Sequence, residues 1–371
     1  MRLDVPEPYE RPEVRSLLTQ LRMELDGFLE GMKSAEDEPL RLRRDVRSVL
    51  FLGVGGSGIV GDLVSDITAK RRGLPILCHR DYSIPPYSRK DSLVVAVSYS
   101  GNTAETLSAM AEAYEANLPI FAITSGGLMK NVCKKLGIPM AEVKAGLLPR
   151  MAVPHMLGAA LSALVNAGLV NITQEELKGA VEEAKRVQES VEVYVPSESN
   201  VAKRTANSIY DKVVFIYSHG CLSSVGYRLK CQLNENSKIL AVSQCLPEAL
   251  HNDIEGWDPA MVNCLSVVTL RCKGEHPAVE EAMDRMESML AGRFGVKVSK
   301  IVIQGSDDIA NILSAMVICD YVSLYAAILR GVDPISVERI RSMREGIRCN
   351  ARLLQQVVEK FKVEFKSTAH G

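Results

Sequence analysis

Short apolar segments that alternate with longer charged segments most constrain what this chain can fold into. The first half contains four of them: SVLFLGV at 48–54, LPILCH at 74–79, SLVVAVS at 92–98 and LPIFAIT at 118–124. The second half repeats the pattern: KVVFIYS at 212–218, KILAVS at 238–243, NCLSVVTLR at 263–271 and VKVSKIVI at 296–303. Such runs, separated by stretches of helix-forming composition, are typical of parallel strands covered by helices. The sequence therefore predicts an α/β protein with two sheets.

The length of the chain supports the same organisation. A chain of 371 residues suits two domains of roughly 150 residues each together with terminal helices. We predict four segments: an N-terminal helical segment at 1–44, a first, phosphate-binding domain at 45–170, a second domain at 171–332, and a C-terminal helix and tail at 333–371.

Composition and charge exclude several classes of protein. Hydrophobic residues make up 47% and charged residues 24% of the chain, as in an ordinary globular protein with a large core. Because 44 Lys and Arg stand against 45 Asp and Glu, the basic surplus that nucleic-acid binding requires is missing. The first residues lack an apolar signal core, and no uncharged apolar run reaches about 18 residues. We therefore expect neither a nucleic acid nor a membrane as a partner.

The nine cysteines predict a compartment rather than a site. They occur singly, without a CxxC pair and without a histidine at zinc-ligand spacing. Most of them lie in apolar runs, where a free thiol behaves as a small hydrophobic group and indicates a reducing environment. We expect free thiols, a cytoplasmic protein and no bound metal.

The first glycine-rich loop, GVGGSGIVGD at 53–62, directly follows a predicted buried strand. Glycines at this point allow backbone N–H groups to approach an anion at the start of a helix, which indicates a phosphate site. Gly53, Gly55 and Gly58 also satisfy G-x-G-x-x-G, so a dinucleotide-binding fold is an alternative. A tight strand-to-helix turn that binds nothing is a further one.

The second loop, SYSGNTAET at 98–106, carries a cluster of hydroxyl groups between a strand and a helix. Because loops at the carboxyl ends of parallel strands converge on one crevice, Ser98, Ser100 and Thr103 are expected to surround one phosphate together with Ser57. The alternative is a local turn in which Ser100 or Thr103 caps the helix, and the two roles are compatible.

With GGSG in one loop and SYSGNT in the next, the sequence resembles the sugar isomerase (SIS-domain) superfamily. More narrowly, it resembles the bifunctional phosphoglucose/phosphomannose isomerases. The resemblance implies two SIS-type doubly wound domains, each a mostly parallel sheet flanked by helices. It also implies an aldose-ketose isomerase of glycolysis and gluconeogenesis, which interconverts glucose 6-phosphate, and mannose 6-phosphate, with fructose 6-phosphate through a cis-enediol. Gly55, Gly56 and Ser57 then bind substrate with the three hydroxyl residues of the second loop.

Three further segments carry the resemblance: LLPRMAV at 147–153, LNENSKILAVS at 233–243 and LPEALHNDIEGW at 246–257. They imply that Arg150 stabilises the enediolate, that Glu235 is the catalytic base and that His251 assists opening of the sugar ring. In proteins of this kind the histidine enters the active site of the other subunit, which implies a homodimer with a shared site. Each residue also has an ordinary alternative as a surface or structural side chain.

One segment departs from the family. Relatives carry a functional lysine in the C-terminal helix after an Asp-Pro turn, whereas this chain has GVDPISVERIRSMREGIR at 331–348. Arg344 aligns with that lysine. Arginine keeps the charge but not the shape or the proton-transfer ability of lysine, so the departure bears on the range of substrates more than on the type of reaction.

Two other functions remain open from the sequence. Domains of this superfamily also serve as non-catalytic sugar-phosphate sensors, against which Glu235 and His251 argue. An NAD-dependent dehydrogenase would use GVGGSG for its cofactor, with Asp81 imitating the ribose-binding acid. Against this, Ser57 lies where the dinucleotide would pass and the SYSGNT loop would have no role. We therefore predict a hexose 6-phosphate as ligand and no cofactor.

Overall fold

The computed structural model describes residues 2–42, 45–88 and 90–363. The described residues form two compact units. The first-sheet unit contains residues 23–175 and 338–363, and the second-sheet unit contains residues 2–22 and 176–337.

The secondary structure consists of parallel strands that alternate with helices. The strands of the described residues are β1 Ser48–Leu52, β2 Ile76–His79, β3 Ser92–Val97, β4 Ile120–Thr124, β5 Met140–Glu142, β6 Val213–Ser218, β7 Ala241–Cys245, β8 Leu265–Cys272 and β9 Lys297–Ile303. The α-helices are α1 Pro12–Arg22, α2 Glu24–Asp37, α3 Gly55–Thr68, α4 Ala104–Glu115, α5 Gly127–Leu136, α6 Val153–Asn166, α7 Gln174–Val191, α8 Val201–Ile209, α9 Ser223–Gln232, α10 Pro277–Gly292, α11 Asp308–Arg330, α12 Glu338–Glu345 and α13 Arg348–Phe361. The short helices are the 3-10 turns Glu7–Tyr9, Gly220–Leu222, Glu248–His251, Asp253–Gly256 and Pro259–Cys264, and the π-helical turn Leu233–Ser237.

The first sheet has the strand order β2-β1-β3-β4-β5, and all its pairs are parallel. The chain leaves β1 toward β2 on one side and returns to β3 on the other, so the strand order reverses between β1 and β3. Open α/β sheets form their ligand crevice at the carboxyl ends of the strands at such a point. One hydrophobic core of this unit is completed by α13, whose Val357 and Phe361 pack against apolar residues of α4 and α5.

The second sheet has the order β7-β6-β8-β9 and is also parallel throughout. Its most buried helix is α11, in which every residue from Ile309 to Ile328 is buried. By length and composition alone α11 could cross a membrane, but 94% of its apolar 18-residue window is buried inside the protein. It therefore packs as the core helix of this unit.

The predicted α/β architecture is confirmed, and each of the eight predicted strand segments overlaps an observed strand. The sequence missed β5, because its three residues at the sheet edge are only partly buried and give no apolar run. The predicted C-terminal helix is divided in two at Gly346 and Ile347. Glycine is a poor helix former, which explains a break at this point. All nine cysteines are free thiols.

The four predicted domain segments stay a prediction. The compact units group the chain in another way, since the two N-terminal helices belong to different units and 338–363 belongs with the first sheet. The apolar face of α13 explains the second grouping, because it is buried against the first-sheet core.

An ion pair between the half-exposed Arg22 and the buried Glu192 anchors the N-terminal helix α1 within the second-sheet unit. Arg22 donates two hydrogen bonds, of 2.8 and 2.7 Å, to the carboxylate of Glu192. Tyr321 donates a third, of 2.6 Å, to the same carboxylate, which is 7% exposed. Burial raises the pKa of Glu192, but the hydrogen bonds from Arg22, Tyr321 and the Val193 N–H outweigh it, so that the pKa lies below its usual value.

We expect Glu192→Gln to lower the free energy of unfolding by about 2 kcal/mol at neutral pH, because three charge-assisted hydrogen bonds to a buried carboxylate lose their anion. A carboxyl whose pKa is lowered on folding contributes stability above its unfolded pKa, which is about 4.3, and loses it as the pH falls through the folded value. The difference between variant and wild type should therefore shrink below about pH 4.3. Denaturant titrations at several pH values measure this difference in the free energy of unfolding. Glu189→Gln, on the exposed face of α7, is the control and should show little difference from wild type. An equal loss at every pH would contradict the assignment.

Candidate active site

The first loop of the candidate site lies between β1 and α3. Gly55 has φ +57° and opens α3, a conformation that glycine adopts without strain. The N-cap residue, Val54, has no side-chain oxygen to accept a bond from the first turn of the helix. The N–H groups of that turn and the positive end of the helix dipole are thus available to an anion.

The second loop lies between β3 and α4 and is fixed by its own side chains. The hydroxyls of Ser98 and Thr103 share a hydrogen bond of 2.9 Å, and Asn102 Oδ1 accepts one of 2.9 Å from the Leu128 N–H. Thr103 is the N-cap residue of α4, but its side chain makes no capping bond. The Thr103 hydroxyl therefore does not cap the helix, which was the alternative role predicted for it. Gly101 has φ +67° and lies so close to Gly126 that a Cβ would be 1.9 Å from its carbonyl oxygen.

The two loops meet at the carboxyl edge of neighbouring strands. Leu52 at the end of β1 is paired with Ala96 in β3. Beyond this pair, the Tyr99 N–H donates a hydrogen bond of 3.1 Å to Ser57 Oγ. The structure thus places the two loops side by side, and with them the six residues predicted to bind substrate: Gly55, Gly56, Ser57, Ser98, Ser100 and Thr103.

Arg150 lies next to the first loop. A Cβ on Gly56 would be 3.1 Å from the Pro149 carbonyl oxygen and 3.5 Å from the Arg150 Cα, so a side chain at this position would crowd the Pro149 carbonyl. The arginine lies within a turn in which the Met151 N–H donates to the Leu148 carbonyl at 2.8 Å. Arg150 is 4% exposed, which excludes the alternative of an ordinary surface arginine. The structure thus places a buried arginine with its backbone against the first loop.

Two side chains near the loops were not singled out from the sequence. The Tyr99 hydroxyl accepts from the Leu147 N–H at 2.8 Å and donates to the Lys144 carbonyl at 3.0 Å. Burial raises the pKa of Tyr99, which keeps its hydroxyl protonated and able to donate. Arg80, directly after β2, donates to the Gly58 carbonyl at 3.3 Å and pairs with Asp62. Its position at the carboxyl end of a predicted strand was the signal that could have found it.

Glu235 lies in the other unit, within the π-helical turn that follows α9. Its neighbours hold this turn against α11: Asn236 Nδ2 donates to Ser323 Oγ at 2.9 Å, and Ser237 Oγ donates to the Ser323 carbonyl at 2.6 Å. Lys238 donates to the carbonyl of Glu235 and, at 2.8 Å, to that of Ser336. The backbone around Glu235 is therefore fixed while its carboxylate is partly exposed, and π-helical turns of this kind recur at functional sites.

His251 ends the 3-10 turn that follows β7, and its side chain is exposed. Glu235 precedes β7 in the chain and His251 follows it. Because β6 and β7 are parallel, α9 runs from the carboxyl ends of the strands back to their amino ends before β7 begins. Glu235 therefore lies near the amino end of β7 and His251 near its carboxyl end. One chain therefore does not bring them together within this unit.

The other residues predicted to have a role, Arg344 and Asp81, lie outside the two loops. Arg344 lies on α12, which has no buried residue. The Asp81 carboxylate accepts a hydrogen bond of 2.7 Å from the neighbouring Tyr82 N–H, a bond within its own loop. Among the residues that the structure describes, no three His, Cys, Asp or Glu side chains are grouped as a metal site requires. The absence of metal and cofactor stays a prediction.

The same fold is found in solved structures of other proteins. The C-terminal domain of glucosamine-fructose-6-phosphate aminotransferase from Francisella tularensis superposes with a TM-score of 0.67 at 17% identity, covering 86% of this chain and 98% of that one. In addition, the family described as "Bacterial phospho-glucose isomerase C-terminal SIS domain" matches residues 198–347. Residues 198–347 thus match a domain of the SIS class, and the fold agrees with that match.

Two relatives narrow the class. A bifunctional phosphoglucose/phosphomannose isomerase of Caldicellulosiruptor bescii is 32% identical over 82% of this chain and 90% of its own length. Its counterpart in Aquifex aeolicus is 33% identical over 82% of this chain and 92% of its own length. The chain belongs to the bifunctional phosphoglucose/phosphomannose isomerase family.

These similarities confirm the predicted family, the two parallel SIS-type sheets and an enzyme of the isomerase class. They also confirm that the enzyme belongs to a family of sugar-phosphate isomerases.

Proposed function

We propose that the protein interconverts glucose 6-phosphate and mannose 6-phosphate with fructose 6-phosphate through a cis-enediol, as an enzyme of glycolysis and gluconeogenesis. The observation that carries the proposal is the meeting of the two loops at the switch point of the first sheet, with Gly56 against the backbone of Arg150. Family membership supports the same reaction, since the relatives named above are isomerases of this kind.

The phosphate is held by the two loops. Backbone N–H groups at the starts of α3 and α4 approach it. Ser57, Ser100 and the hydrogen-bonded pair Ser98 and Thr103, which keeps one proton to donate, supply hydroxyl donors. Both helix N-termini lack a side-chain cap, which supports this role because their N–H groups need an external acceptor. Arg150 is buried, its backbone lies beside the first loop, and its positive charge adds to the attraction for a dianion in this scheme.

The chemistry moves one proton between adjacent carbons. Glu235 takes the proton from C2 of the open-chain aldose and returns it to C1, and the Arg150 guanidinium stabilises the enediolate oxygen in between. Return of the proton to the other face of C2 gives mannose 6-phosphate. His251 exchanges a proton with the ring oxygen, a role suited to an imidazole because its ring nitrogens can both donate and accept a proton. Arg344 replaces the lysine of the relatives as a positive charge near the substrate.

The position of His251 supports a shared active site. Glu235 and His251 lie at opposite ends of β7. We therefore propose that the His251 that assists one Glu235 comes from a second copy of the chain. The active protein is then a homodimer, and we place it in the cytoplasm without a membrane or nucleic-acid partner. No metal or cofactor is used in this scheme.

One assay separates this function from its alternatives. Purified protein is incubated with fructose 6-phosphate, without added metal or nucleotide, and glucose 6-phosphate and mannose 6-phosphate are followed with time. We expect both products. A sugar-phosphate sensor would bind fructose 6-phosphate without turnover, and a dehydrogenase would need a nicotinamide cofactor. Absence of both products would overturn the proposal.

Mixing two inactive variants tests the shared site. We expect His251→Ala and Glu235→Gln each to be inactive alone and their mixture to regain about a quarter of wild-type activity, because random exchange gives mixed dimers with one intact site. Rates measured after re-equilibration of the mixture report this, with His276→Ala mixed in place of His251→Ala as control. Failure of the mixture to regain activity, with both variants dimeric, would place the complete site in one chain.

A further inference from the structure

Tyr99 is buried in the middle of the hydroxyl-rich loop, and all its polar groups are hydrogen-bonded. Its N–H donates to Ser57 Oγ at 3.1 Å. Its carbonyl accepts from the N–H and the hydroxyl of Ser125 at 2.9 and 2.7 Å. Its hydroxyl accepts from the Leu147 N–H and donates to the Lys144 carbonyl. The residue is 6% exposed and thus connects three separate segments.

The bond to Ser57 sets the direction of a phosphate donor. A serine hydroxyl has one proton to donate and lone pairs that accept. Because Ser57 Oγ accepts from the Tyr99 N–H, its own proton points elsewhere. The hydroxyl lies 3.8 Å from Met156 Sδ, a weak acceptor that a phosphate oxygen can replace. Tyr99 therefore holds Ser57 as a donor.

The bonds of the phenol reach the other functional group. Leu147 lies just before the turn at 148–151 that carries Arg150, and this turn is closed by its own backbone bond of 2.8 Å. A fixed Leu147 therefore fixes the start of the turn. Arg150 itself meets the first loop at Gly56. One residue, through its backbone N–H and its phenol, thus connects the phosphate donor to the segment of the enediolate-stabilising arginine.

We propose that Tyr99 is a positioning residue that sets Arg150 relative to the bound phosphate. It touches neither reacting carbon and acts through the Lys144–Leu147 segment. The inference rests on the proposed function, because it concerns how that reaction is made efficient. A displacement of about 1 Å at a catalytic group can cost a factor of about 100 in rate, so a single lost anchor can have a measurable effect.

Tyr99→Phe tests the proposal because it keeps the ring and removes only the hydroxyl. We expect kcat to fall by about 10-fold or more, while KM for fructose 6-phosphate changes by less than about 3-fold, since the Tyr99 N–H still orients Ser57. Tyr87→Phe is the matched control, because this tyrosine is 58% exposed in the same unit, and we expect no change in kcat. A Tyr99→Phe variant with unchanged kcat would overturn the inference.

Two non-reacting ligands separate positioning from loss of structure. A six-carbon polyol 6-phosphate offers the phosphate alone, whereas a five-carbon aldonate 5-phosphate adds a carboxylate that imitates the enediolate. We expect Tyr99→Phe to bind the polyol phosphate as wild type does and the aldonate phosphate about 10-fold more weakly. Equal weakening of both ligands would show a general structural role and overturn the inference.

A double-mutant cycle identifies the residue through which Tyr99 acts. If Tyr99 positions Arg150, Tyr99→Phe lowers kcat about 10-fold in wild type and by less than about 2-fold when Arg150 is already Met, because the effects of coupled residues do not add. Fully additive effects would overturn the inference while leaving the isomerase intact. Loss of the proposed function itself is distinguishable, since wild-type protein would then form no product.

Discussion

Replacing Glu235 with Gln should lower kcat for fructose 6-phosphate by about 10²–10⁴-fold, the usual contribution of a positioned general base. The amide keeps the size of the side chain but cannot take the proton from C2. The turn around it is held by Asn236, Ser237 and Lys238 through bonds that do not use the Glu235 carboxylate, so the fold should persist. Initial rates with a fixed excess of substrate measure the loss.

Binding should survive the same substitution. The phosphate loops belong to the first-sheet unit and Glu235 to the second-sheet unit, so Glu235→Gln is expected to bind a polyol 6-phosphate with wild-type affinity. Glu255→Gln, an exposed glutamate of the same unit, serves as the control with unchanged kcat. Retained turnover in Glu235→Gln would remove this residue as the base.

Arg150→Met is the second large effect that we expect. Methionine keeps much of the length of the side chain and removes the charge, so kcat should fall by about 10²–10³-fold, as when one oxyanion-stabilising donor is lost. Arg150→Lys keeps a charge without the planar donor fork and should lie between Met and wild type. Steady-state kcat and KM for the three proteins give the order.

The control for Arg150 has to account for its burial. Arg72→Met removes an exposed arginine of the same unit and should leave kcat unchanged, while thermal unfolding shows whether Arg150→Met is folded. A folded Arg150→Met variant with wild-type kcat would leave the guanidinium without a role in catalysis.

The sequence predicted the parts of the molecule that follow local rules. Apolar runs identified eight strands because buried parallel strands carry such runs, and the glycines and hydroxyls marked the two loops because an anion site needs small residues and donors. The short edge strand β5 and the break at Gly346 escaped prediction. Both depend on partial burial and helix ends, for which periodicity is a weak signal.

The relations between segments could not be predicted from spacing. Tyr99 lies inside the SYSGNT motif, yet its partners at Lys144 and Leu147 are more than forty positions away, and nothing in the local pattern marks them. The approach of Gly56 to Arg150 is likewise a product of packing. The roles of Glu235 and His251 came only from the family resemblance, because a partly exposed glutamate and an exposed histidine have no distinguishing local environment.

Proton NMR of the reaction in D₂O tests the central claim, proton transfer through an enediol, most directly. Fructose 6-phosphate is incubated with the protein, and the resonances of the hydrogens on C1 and C2 of the sugars are followed until the mixture reaches equilibrium. We expect glucose 6-phosphate and mannose 6-phosphate to appear with deuterium at C2, because the proton on the base exchanges with solvent over repeated turnovers. Formation of both products without any deuterium at C2, or no product at all, would contradict the account.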